Sequence, residues 1–124
     1  MNMKENTVFI GLNQMSRLIH SNNVEKGFWT YPRNKGETLM LIVTELAEAM
    51  EAHRKGNLAM PPMDGEIEKK AFEDFYKDTF EDEIADALIR ILDMCGGFNI
   101  DIEFHVREKV KYNKGREILH GKNY

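Results

Sequence analysis

Hydrophobic side chains recur at helical spacing along most of the 124-residue chain. The first stretch that shows this has apolar residues at Val8, Leu12, Met15, Leu18 and Ile19, a pattern typical of one face of an amphipathic helix. Proline and glycine, which interrupt such segments, number only three and nine. The pattern predicts an all-α protein with four main helices and a short one, at approximately residues 5–21, 34–55, 66–76, 78–95 and 100–114.

Short polar signals predict where these helices begin and end. Asn34 with Glu37, and Asp78 with Glu81, have the spacing of a capping box at a helix N-terminus. Glycines follow the predicted C-termini, as expected for helix stops. We place these stops at Gly56, Gly96-Gly97 and Gly115, and a surface loop at Pro61-Pro62.

The helices predicted at 34–55 and 78–95 are apolar over much of their circumference. A single domain spanning residues 1–124 has little core in which to bury two such helices. We therefore expect a four-to-five-helix bundle whose core helices are shared between the subunits of a homodimer or homotetramer.

Composition narrows the class of protein. The hydrophobic fraction of 42% and the charged fraction of 31% are ordinary for a soluble domain, and the net charge of −4 argues against a nucleic-acid partner. No segment is apolar for long enough to cross a membrane, and the N-terminus lacks the shape of a signal peptide. With the single Cys95 predicted to be buried, we expect a cytoplasmic protein.

Two acidic pairs interrupt the two most apolar stretches. They are Glu45 with Glu48, and Glu83 with Asp86, and each pair has the i, i+3 spacing that places both side chains on one helical face. Carboxylates among apolar residues are costly unless a cation neutralises them. Pairing with Lys or Arg of neighbouring helices is one explanation, but two such pairs on two apolar helices favour a bound metal ion.

All-oxygen ligation by four carboxylates favours Mg²⁺, with Mn²⁺ as the alternative. A carboxylate-bridged di-iron site would require Glu-x-x-His motifs on two helices, and the sequence contains one match, Glu117 to His120. Arg90 and Asp93 continue the stripe of Glu83 and Asp86 along the same predicted helix. Asp93 is expected either to support the ligands or to pair with Arg90.

Magnesium held by carboxylates commonly works together with substrate phosphates. Lys109, Asn113 and Arg116 follow one another along the last predicted helix and its end, and such side chains can hold phosphate oxygens. Trp29, in a loop of aromatic residues, is either a core anchor or a flat surface for a nucleobase. His20 precedes it by nine positions and is expected at the same pocket.

Taken in order, these motifs resemble the all-α nucleoside triphosphate pyrophosphatases, the MazG-like group that includes dCTP pyrophosphatase. The resemblance covers nearly the whole chain. It is carried by Glu45-Leu46-Ala47-Glu48, by Glu83-Ile84-Ala85-Asp86, by the Lys-x-x-x-Asn-x-x-Arg pattern from Lys109 to Arg116, by the GFW that contains Trp29, and by the closing HGK. Thr44 departs from the pattern, because many members carry Glu immediately before the first motif.

The resemblance implies a hydrolase that cleaves (d)NTP to (d)NMP and pyrophosphate and so cleans the nucleotide pool. Glu45, Glu48, Glu83 and Asp86 would then bind Mg²⁺, and Glu45 or Glu48 would activate the attacking water. Substrate contacts would come from His20, Trp29, Lys109, Asn113 and Arg116. Two alternatives remain: a phosphoribosyl-ATP pyrophosphatase-like enzyme, and a non-catalytic helical dimer that acts as an interaction module.

Overall fold

A computed structural model describes residues 11–123 and is helical, with no strand in that range. The all-α prediction is therefore confirmed, while residues 5–10 of the first predicted helix, with Val8, lie outside the described residues. The helices are α1 (Leu12–Glu25), α2 (Lys35–Arg54), α3 (Lys69–Phe75), α4 (Phe80–Gly97) and α5 (Ile102–Lys114), followed by a short 3₁₀ turn (Ile118–Gly121). Within this described range, none of the helices is long and apolar enough to cross a membrane.

Helix α4 lies at the centre of the fold, with α2 on one side and α1 on the other, while α5 contacts the start of α1. Small side chains are prominent in the buried core: Ala49 and Ala52 on α2, and Ala87 and Cys95 on α4. Between α1 and α4, the buried Ser16 hydroxyl donates a hydrogen bond to the Leu92 carbonyl at 2.5 Å. Because α2 and α4 pack directly together, polar residues on their facing sides meet across one interface.

The predicted ends of α2 are confirmed. The Asn34 side chain accepts a hydrogen bond from the Glu37 backbone N–H at 2.7 Å, which caps the N-terminus. The Glu37 carboxylate does not complete a reciprocal box, since it bonds Tyr31 and Arg33 instead. At the other end Gly56 has a φ of +67°, a conformation that favours glycine just after a helix.

The capping box predicted at Asp78 and Glu81 is wrong by one residue. Asp78 has a φ of +63°, and the cap is Thr79, whose hydroxyl accepts from the Asp82 backbone N–H at 3.3 Å. The Asp82 carboxylate in turn accepts from the Asp78 N–H at 2.9 Å. Helix α4 therefore starts at Phe80, and it continues through Gly96 and Gly97 rather than stopping before them.

Candidate functional site

Three of the four carboxylates predicted as metal ligands lie together where α2 faces α4. One oxygen each of Glu45, Glu83 and Asp86 lies within 4.8 Å of the others. Glu83 is only 6% exposed and Glu45 only 9% exposed, so water screens their charges poorly. The helical spacing noted in the sequence accounts for this cluster, because Glu83 and Asp86 are one turn apart on α4 and both face α2.

The fourth acid, Glu48, is solvent-exposed one turn along α2 and interacts with the Glu83 carboxyl. Burial raises the pKa of Glu83 to about 7, helped by hydrogen bonding to Glu48 and by the negative charges of Glu48, Asp86 and Glu45. Burial also raises the pKa of Asp86, and the charges of neighbouring acids add to that effect. The cluster therefore resists full ionisation unless positive charge is supplied.

The donor set fits a divalent metal ion. Oε2 of Glu83 is buried, and no N–H or O–H group of the described residues donates to it, which is a costly state for a carboxylate oxygen. The hydrogen bond between Glu83 and Glu48 forms only when one of the two carboxyls carries a proton. A cation bound by Glu45, Glu83 and Asp86, with Glu48 alongside, would satisfy this oxygen and offset the mutual repulsion. All the donors are carboxylate oxygens, which suits Mg²⁺ or Mn²⁺.

Ion pairing with a neighbouring helix, the alternative explanation for the acids, applies to one of the four. Arg90 Nε donates to Glu45 Oε1 at 2.7 Å. Within residues 11–123, Glu48, Glu83 and Asp86 form no salt bridge with Lys or Arg. A single arginine thus offsets only part of the negative charge that the cluster carries.

A cavity of about 230 Å³ adjoins the cluster. Glu45 and Asp86 contribute to its wall. The other lining residues are Asn23, Phe28, Trp29 and Arg33 from the end of α1 and the loop that follows, Thr38 and Leu41 from α2, and Ile89, Arg90 and Asp93 from α4. The site therefore combines carboxylates with an aromatic, partly cationic pocket.

Asp93 fixes the aromatic wall of this cavity rather than pairing with Arg90. Its carboxylate accepts from Trp29 Nε1 at 3.1 Å and from Asn23 Nδ2 at 2.9 Å, and it lies 2.9 Å from His20 Nδ1. The His20 ring packs edge-on against Trp29, with their centroids 4.8 Å apart. His20 and Trp29 therefore lie side by side, joined by Asp93, but His20 is not among the residues that line the cavity, where it was predicted.

The two glycines that end α4 form the surface on which these rings rest. A Cβ atom on Gly97 would lie 2.8 Å from Trp29 Cζ2, and one on Gly96 would lie 2.6 Å from His20 Cβ. Either contact is too close for an ordinary side chain. Gly96 and Gly97 are thus sites of close approach and not the helix stop that their residue type predicts; the signal for this in the sequence is their position inside an apolar helical pattern.

The three residues predicted to bind phosphate from the last helix lie apart from the acids within one chain. Lys109, Asn113 and Arg116 do not line the cavity beside Glu45 and Asp86. Lys109 and Arg116 instead approach the Tyr112 ring, at 5.2 and 5.5 Å from its centroid. The pocket cations that sequence reasoning left without a role are Arg33 and Arg90.

Comparisons of the chain with protein-family models, with curated proteins and with solved structures find no match. The chemistry of the site therefore carries the functional argument.

Proposed function

We propose that the protein is a Mg²⁺-dependent, MazG-like nucleoside triphosphate pyrophosphohydrolase, which converts (d)NTP and water to (d)NMP and pyrophosphate. The observation that carries the proposal is the union of two features in one place. A carboxylate cluster with a buried, unsatisfied Glu83 oxygen adjoins a cavity that has a hydrogen-bonded tryptophan in its wall.

In this proposal Glu45, Glu48, Glu83 and Asp86 hold the cation. When bound, Mg²⁺ supplies positive charge that stabilises negative charge developing on the phosphates during attack by water. Such a positive charge would stabilise the carboxylate cluster, because burial disfavours the ionised form of Glu83 and raises its pKa.

The side chains of the cavity then orient the substrate. Trp29, held by Asp93 and seated on Gly97, offers a fixed face for stacking a nucleobase, and a fixed face costs less entropy on binding than a mobile one. Glu45 and Glu48 are the two candidates to accept a proton from the attacking water at a carboxylate oxygen. Glu48 is exposed and Glu45 is tied to Arg90, so their availability in the metal-free protein differs.

A panel of NTPs and dNTPs, assayed for pyrophosphate and monophosphate with Mg²⁺ and with chelator, tests the function. We expect pyrophosphate and the nucleoside monophosphate in equal amounts, and only when Mg²⁺ is present. Release of inorganic phosphate and a diphosphate would contradict the proposal. Phosphoribosyl-ATP as the sole substrate would establish the alternative enzyme, and absence of both turnover and Mg²⁺ binding would favour the non-catalytic interaction module.

We also propose that the protein is a homo-oligomer that uses the outer faces of α2 and α4. Large apolar side chains remain about half exposed on these faces, at a spacing of three and four residues along α2. A continuous apolar face of this kind is typical of helices that pack against another subunit. The residues are Leu39, Val43, Leu46 and Met50 on α2, and Ile84 and Leu88 on α4.

Sedimentation velocity of the full chain is expected to give at least twice the monomer mass of 14.4 kDa. The variant Leu46→Glu should shift the protein toward monomer, because a buried unpaired charge opposes association. Val110→Glu, at an exposed apolar position on α5, provides the control and should leave the mass unchanged. A monomeric parent protein at high concentration would refute the oligomer.

A further inference from the structure

Arg90 occupies a position between the carboxylate cluster and the aromatic wall. Its Nε donates to Glu45 Oε1 at 2.7 Å, and its side chain is 39% exposed and lines the cavity. Among the described residues, the two Nη groups make no further hydrogen bond. The guanidinium therefore uses its Nε as a donor to Glu45, while its two Nη groups remain available to a ligand in the cavity.

The Glu45 carboxylate is subject to two competing demands. In the metal-free protein it lies beside Glu83 and Asp86, and Arg90 is the cation that offsets its charge. A divalent ion placed among the same three carboxylates would require Glu45 as well. Because like charges repel strongly in a poorly solvated site, a tight Arg90 pair and a bound cation oppose each other at Glu45.

The position of Arg90 on α4 indicates which group it can contact when a divalent cation binds Glu45. It lies four residues beyond Asp86, about 6 Å along the helix axis, and three residues before Asp93, which holds Trp29. Trp29, Arg90 and the two acids Glu45 and Asp86 line one cavity, so a nucleotide with its base against Trp29 and its phosphates toward the acids would bring its phosphates past Arg90. A guanidinium can hold two phosphate oxygens with parallel hydrogen bonds.

We propose that Arg90 is an exchangeable counter-charge: it neutralises Glu45 in the metal-free protein and binds substrate phosphate oxygens when a divalent cation takes Glu45. This inference rests on the proposed function and adds a specific substrate-binding residue to it. Arg33, the other cavity arginine, does not share this role. Its Nε donates to the Phe28 carbonyl and its Nη1 to Glu37 Oε1, and its guanidinium lies 5.6 Å from the centre of the Trp29 ring.

The test measures two affinities in the full-length chain by calorimetry: Mg²⁺ alone, and an α,β-methylene NTP analogue with Mg²⁺ present. For Arg90→Gln we expect Mg²⁺ to bind about tenfold more tightly, because its competitor for Glu45 is gone, and the analogue to bind about tenfold more weakly. Arg90→Lys keeps the positive charge but loses the planar guanidinium, whose paired N–H groups can hold two phosphate oxygens at once. It should leave Mg²⁺ affinity within about threefold of the parent while still weakening the analogue.

Arg33→Gln is the matched control, because it removes a cation from the same cavity without touching Glu45. Its Mg²⁺ affinity should stay within about twofold of the parent. The inference is overturned if Arg90→Gln weakens both ligands, changes neither, or tightens Mg²⁺ no more than Arg33→Gln does. If the parent protein releases pyrophosphate normally in these cases, the proposed function survives; if the parent binds no Mg²⁺, both proposals fail.

Discussion

The Asp86→Asn variant is expected to lose Mg²⁺-dependent pyrophosphate release by on the order of 10³-fold while keeping its helical content. Asparagine has the shape of aspartate but removes one anionic donor from the cluster with Glu45 and Glu83. Since burial and the neighbouring acids already disfavour the charge on Asp86, the neutral side chain should not destabilise the fold. Steady-state kinetics, with circular dichroism on the same samples, measures both effects.

Glu48→Gln provides the second arm, because Glu48 is exposed and the fold does not depend on its burial. We expect a comparable loss of activity. Glu51→Gln is the control on the same helix: Glu51 is exposed, interacts with Lys55 at 3.7 Å and lies outside the cluster. Its activity should remain within about twofold of the parent. Near-normal activity in both Asp86→Asn and Glu48→Gln would refute the metal site.

The sequence was most informative where a few neighbouring residues determine the structure. The cap at Asn34 and the end of α2 before Gly56 depend on local hydrogen bonds and on one glycine conformation, and both were predicted correctly. The start of α4 was not, because Asp78 is held by distant contacts. Its carbonyl accepts from Asn57 Nδ2, and the Asn57 carbonyl accepts from the N–H of Phe80.

The same distinction applies to the site. Helical spacing identified the acids, but it could not show that Glu45 is buried while Glu48, one turn away, is exposed. That difference depends on how α2 packs against α4. Nor could spacing assign Arg90 to Glu45 and Asp93 to Trp29, because each pair joins two segments that are distant in sequence.

The Glu83→Gln variant is expected to make the metal-free protein more stable at pH 8 and to remove stabilisation by Mg²⁺. The folded-state pKa of Glu83 is raised from 4.5 to about 7, so the folded chain binds a proton more tightly than the unfolded chain. The free energy of unfolding contributed by this group is therefore highest below about pH 4.5. It falls as the pH rises to about 7, then stays low.

Glutamine keeps the shape of the side chain and cannot ionise, so it removes this loss. At pH 8 we expect a gain of roughly 1–3 kcal/mol in the free energy of unfolding, which corresponds to a rise in Tm of several degrees. The measurement is thermal unfolding in chelator from pH 4.5 to 8, comparing Glu83→Gln with the parent at each pH. Glu51→Gln is the control, and its Tm should change with pH in the same way as that of the parent protein.

Mg²⁺ should reverse the order of stability. The parent protein gains stability with Mg²⁺ at pH 8, because the cation binds the folded state and offsets the negative charge of the ionised Glu83 carboxylate. Glu83→Gln has lost a donor whose Oε2 is otherwise buried and unsatisfied, so it should gain little. A variant less stable than the parent in chelator would show that the carboxylate is neutralised within the fold. The cluster would then need no cation.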